Sequence, residues 1–128
     1  MKLVEGRVKY SQLIKKVQDY SGFSDVESKD ALQLMVESLA VHLTENKRRN
    51  FASELPSELQ DLALSVYATE YNSTEDILRQ FMELEKIDEN RAKRQIKAAW
   101  TALKDTISPG EIEDVKTQLA GSAVGLLT

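Results

Sequence analysis

The chain has 128 residues, a formal net charge of −4 and no cysteine. That length can bury a core without staples, and the missing cysteines exclude thiolate zinc sites, thiol redox chemistry and disulfides. The acidic total repels phosphate backbones, so nucleic-acid binding would need a local basic patch.

No run of about 18 apolar residues marks a transmembrane helix. The opening MKLVEGRVKY lacks the apolar stretch of a signal peptide, so a soluble, cytoplasmic protein is expected. Taken in chain order, the first element is a helix over 10–21 with Leu13, Ile14 and Val17 on its apolar side. Ser24 and Glu27 have capping-box spacing and start a long helix over 25–43. Within it, Leu32, Met35, Val36, Leu39 and Leu43 recur at helical intervals. Thr44 caps a third helix over 45–54, and a fourth runs over 57–70. After a junction at Thr69–Ser73, helices are expected over 75–86 and 89–106, the second capped by Asp88. Ser108, Pro109 and Glu111 place a cap, proline and glutamate where a helix over 109–119 begins. A short helix over 122–127 closes the list.

The second half repeats the pattern of the first. Displaced by 64 positions, Leu13 meets Ile77, Val17 meets Phe81, Val36 meets Trp100, Leu39 meets Leu103 and Phe51 meets Val115, without a gap. Identities are few, so the signal lies in periodicity. The expected fold is all-α: a single helical bundle of about seven to eight helices, built from two pseudo-twofold-related repeats. One domain over 1–128 is expected, with repeats at approximately 10–68 and 74–128 sharing one core, because neither half can exclude as much water alone.

The segments Leu43–Leu59, LTENKRRNFASELPSEL, and Ile107–Leu119, ISPGEIEDVKTQL, resemble the bacterial family known as domain of unknown function 2267. Ser108, Pro109, Gly110, Glu111, Asp114, Gln118 and Leu119 carry the resemblance, with Leu55, Pro56 and Leu59. The family's segment is of the type SPGEAxDLxxQLP; here Ala120 and Gly121 follow Leu119, and the first half has Thr44, Glu45 and Asn46 in place of Ser108, Pro109 and Gly110. The resemblance implies a small, helical, internally duplicated protein and brings no activity with it.

No catalytic, cofactor-binding or metal-ligating residue is assigned. His42 is the sole histidine, with no cysteine or second histidine to complete a site. Glu111, Glu113 and Asp114 are expected to be solvated acids in a helix's first turns, where the dipole favours them. Trp100 is expected in the core, and Tyr67 and Tyr71 flank the junction.

Two basic groups stand out. Lys47, Arg48 and Arg49 lie in the third helix; Arg91, Lys93, Arg94, Lys97 and Lys104 lie on the long second-half helix. Of these, Arg94, Lys97 and Lys104 share one stripe with Thr101 between them, able to meet phosphates or an acidic partner. Val124, Leu126 and Leu127 form an apolar tail, weakened as a helix by Gly121 and Gly125, that docks on the protein's own core or on a partner or second copy. The sequence therefore predicts a non-enzymatic protein-interaction or regulatory protein. The rival is a nucleic-acid-associated protein using Arg94, Lys97 and Lys104, against which the acidic total counts. A weaker third reading is a ligand or enzymatic pocket between the halves, near Trp100.

Overall fold

Seven α-helices run through the computed structural model, which describes residues 9–41, 43–65 and 74–118. They are α1 (Tyr10–Ser21), α2 (Asp25–Ala40), α3 (Glu45–Ser53), α4 (Ser57–Leu64), α5 (Thr74–Glu85), α6 (Glu89–Thr106) and α7 (Pro109–Gln118). No strand occurs among the described residues, so the all-helical expectation holds for them. The expected helix over 122–127 lies outside them.

The starts follow from side-chain chemistry. Ser24 and Glu27 form a reciprocal capping box at α2, each side chain accepting the other's backbone N–H at 3.1 Å. Asp88 accepts the Arg91 N–H at 2.8 Å at α6. Thr44 and Ser108 cap α3 and α7 through longer bonds of 3.4 Å.

The ends explain two departures from periodicity. The long apolar run reaches Leu43, yet α2 stops at Ala40. Arg48 reaches back from α3, donating through Nε to the Ala40 carbonyl at 3.1 Å and through Nη2 to the Leu43 carbonyl at 2.8 Å. Arg48 thereby ties the end of α2 to α3, adding to the Leu43 N–H that the Ala40 carbonyl also accepts at 3.1 Å. Similarly, α4 stops at Leu64, where the Ser65 hydroxyl and N–H both turn back onto the Asp61 carbonyl.

α1 and α5 end differently. Gly22 takes the left-handed conformation after α1, at φ 78°, which glycine adopts freely. After α5, Lys86 does the same at φ 55°, and the Ile87 N–H bonds the Met82 carbonyl at 3.1 Å, closing the helix as in a Schellman motif. A side chain in this region is strained. Lys86→Gly is expected to raise stability by about 0.5–1 kcal/mol, net of the freedom glycine adds to the unfolded chain. Urea unfolding checks this, and an unchanged or lower midpoint would refute it.

α1 packs most extensively on α6 and also on α2; α2 and α6 contact one another; α4 rests on α2 and α3; α5 rests mainly on α6; and α7 packs on α3. One cluster of buried side chains draws on all seven helices, from Leu13 in α1 to Val115 in α7. The whole periodic set Leu32, Met35, Val36, Leu39 and Leu43 is buried, as are Ile96, Ala99, Trp100, Leu103 and Ile107. Small buried residues of α6, among them Ala92, Ala99 and Ala102, leave room for its three neighbours. No helix among the described residues is long and apolar enough to cross a membrane.

Candidate interaction surface

The amphipathic α6 buries Ile96, Trp100 and Leu103, which leaves Arg94, Lys97 and Lys104 exposed. Because α1 lies along α6, its polar side meets this stripe. Lys16 pairs with Asp105 at 3.8 Å, and the Tyr20 hydroxyl donates to the same carboxylate. That bond, more than its surroundings, holds the Tyr20 phenol above the usual tyrosine range. Tyr20 is nevertheless 51% exposed. Sequence periodicity missed it, because a tyrosine three residues after Val17 reads as a continuation of the core side.

Phe23 organises the upper end of this face. It is 6% exposed because arginines cover it: the Arg91 guanidinium lies 4.6 Å from the ring centroid and that of Arg94 5.2 Å. Arg91 also pairs with Glu27, the α2 capping residue. The Ser24 backbone and Arg91 together hold the Glu27 carboxyl below its ordinary range. Arg94 donates to the Ser21 carbonyl at 3.3 Å, at the end of α1. Below it, Tyr20, Ser21, Arg94, Lys97, Ala98 and Thr101 enclose a cleft of about 220 Å³. Lys93 is tied to Glu89 at 3.0 Å, whereas Lys97 and Lys104 make no ion pair among the described residues. The structure thus brings Arg94 and Lys97 together at one cleft with Tyr20, while Lys104 lies farther along the stripe, outside that lining.

The other basic group is consumed by the fold. Arg48 caps α2, Lys47 pairs with Asp114 at 3.1 Å, and Arg49 pairs with Glu45 at 2.8 Å. The α3–α7 contact also corrects one expectation. Glu113 is exposed, but Glu111 is buried, at 7% exposure, and its Oε2 has no hydrogen-bond partner. The reason is Glu54, at the end of α3. Its two oxygens accept the Ser108 N–H at 2.7 Å and hydroxyl at 2.9 Å, which draws the first turn of α7 inward. Burial, then the neighbouring Glu54 and Asp114 carboxylates, push the Glu111 carboxyl up, with Lys47 opposing.

A larger groove of about 760 Å³ opens between α1, the start of α2 and the start of α4, with Tyr10, Ile14 and Pro56 among its lining. Neither cavity is lined by Trp100, which is buried at 1% exposure. No cluster of three or more potential metal ligands occurs among the described residues. His42, Tyr67, Tyr71 and the apolar Val124, Leu126 and Leu127 lie outside the described residues.

A family model described as an uncharacterized conserved protein (DUF2267) matches residues 10–126. No curated protein matches the chain.

Proposed function

Because this chain belongs to the uncharacterized conserved protein (DUF2267) family, whose description assigns no reaction, we propose its role from the surface it presents. It is a non-enzymatic protein-interaction or regulatory module that meets its partner through the α1–α6 face. The observation carrying this reading is the contrast within α6. Arg91 and Lys93 are neutralised by carboxylates of the chain itself, while Lys97 and Lys104 make no ion pair among the described residues and Lys97 shares a cleft with the half-exposed Tyr20. Aromatic and cationic side chains together are typical of interface centres.

The proposal includes a single domain made of two pseudo-twofold-related repeats. Its support is positional: Tyr10 and Thr74, Asp25 and Glu89, and Glu45 and Pro109 begin helices at positions 64 apart. Gly22 and Lys86, the left-handed residues ending α1 and α5, keep the same offset. A bacterial, cytoplasmic setting completes it, on the family resemblance and the cysteine-free sequence. Val124, Leu126 and Leu127 enter as a second, apolar contact on composition alone.

Reversing charge with Lys97→Glu and Lys104→Glu together tests the reading. Partners retained by the immobilised wild-type chain are expected to fall at least about fivefold, the scale of losing an exposed ion pair, while circular dichroism stays unchanged. An identical retained set would overturn it. Duplex DNA serves as the comparison: strong binding with a steep salt slope, lost in the same variant, would favour the nucleic-acid reading instead.

A further inference from the structure

The cleft between the end of α1 and α6 is lined by two cations, an aromatic ring, two hydroxyl side chains and an alanine, with no carboxylate. Both hydroxyls are spent on helix carbonyls: Ser21 Oγ donates to Val17 at 2.6 Å and Thr101 Oγ1 to Lys97 at 2.7 Å. The cations are therefore the donors left for a ligand. Arg94 is already positioned, stacked on Phe23 and bonded through one nitrogen to the Ser21 carbonyl. A guanidinium has five N–H donors, so others remain, and a held fork loses less freedom on binding than a loose one. Lys97, one turn further along α6, makes no ion pair among the described residues. A cleft of about 220 Å³ is smaller than the usual small-molecule site and suits a single oxyanion head.

We infer that this cleft is an oxyanion seat in which Arg94 and Lys97 take a side-chain carboxylate from an acidic segment of a partner protein, with the Tyr20 ring as its apolar wall. The inference rests on reading the α1–α6 face as a protein-interaction surface and adds the chemistry of the partner. Nucleic acid fits less well. A phosphate backbone needs a continuous cationic track, and here Asp105 sits one turn beyond Thr101, bound to Tyr20 and paired with Lys16. A second phosphate at the far end of the stripe would lie beside that carboxylate, because Asp105 directly follows Lys104.

The test is a nuclear magnetic resonance titration of the full chain with a hexaglutamate peptide, and separately with an oligothymidylate of matched charge at the same salt. Hexaglutamate is expected to shift Tyr20, Ser21, Thr101 and the Arg94 side chain selectively. Lys97→Gln should weaken its binding about fivefold and Lys97→Glu at least about tenfold. Lys97 is exposed and makes no ion pair, so both variants keep the fold. Arg49→Gln on α3 should leave the affinity unchanged. No shift at the cleft, equal binding by Lys97→Glu, an equal loss from Arg49→Gln, or tighter binding of oligothymidylate would each overturn the oxyanion seat. If the Lys97→Glu/Lys104→Glu variant still loses its protein partners in any of those cases, the α1–α6 surface stands and only the seat falls. If it keeps them, the surface reading falls too.

Discussion

Trp100→Ala is expected to destabilise the fold by about 3–5 kcal/mol, the range for truncating a large aromatic in a packed core. Trp100 is among the largest fully buried side chains and sits on α6, the helix that contacts α1, α2 and α5. The vacated volume lies in a close-packed core, so collapse can recover only part of the loss. Domains of this size are stable by roughly 5–15 kcal/mol, so the variant would approach the unfolding threshold at room temperature. Trp100→Phe keeps an aromatic ring in place and should lose clearly less. Urea unfolding followed by circular dichroism reads both. A loss below about 1 kcal/mol for Trp100→Ala would mean that the residue is not where the packing converges.

The second large effect depends on pH. Glu111 is a buried carboxyl with an unpartnered oxygen beside Glu54 and Asp114, and its pKa lies above the ordinary value of 4.5. The folded state therefore holds its proton more tightly than the unfolded chain. The associated stability is fully present below 4.5 and is lost as the pH rises through the raised pKa. Above that raised pKa the wild type carries an ionised, poorly solvated carboxylate at the α3–α7 contact. Glu111→Gln removes that charge and retains the shape. Its advantage over wild type is expected to be smallest near pH 4.5, to grow upward by at most about 1.4 kcal/mol per pH unit, the limit for one proton, and then to level off. Thermal melts of the two proteins across mildly acidic to alkaline pH show this directly. Parallel curves, or a variant less stable than wild type at alkaline pH, would contradict the argument.

Helix starts and the core face were legible in the sequence because both are local. Ser24, Thr44, Asp88 and Ser108 cap helices as their spacing implies, and every residue of the Leu32–Leu43 and Ile96–Ile107 stripes is buried. The end of α2 was less legible, because a side chain of another helix bonds the carbonyls there. Arg48, on α3, donates to the Ala40 and Leu43 carbonyls, and no period along α2 records that. The candidate site was legible only in part for the same reason. The stripe of Arg94, Lys97 and Lys104 follows from spacing, but its aromatic wall comes from Tyr20 on α1, which needs the α1–α6 packing to be known. Glu111 illustrates the opposite error. First-turn acids are usually solvated, and here Glu54, distant in sequence, draws the turn inward.

The claim that the α1–α6 face is an interaction surface is tested most directly by site-specific photocrosslinking in the cells that make the protein. A photoreactive residue replaces Thr101, at the centre of the face, or Ser53, exposed at the end of α3. A discrete protein adduct is expected from position 101, absent from position 53 and abolished when Lys97→Glu and Lys104→Glu are introduced. Equal adducts from both positions, or an adduct from position 101 that survives the charge reversal, would contradict it.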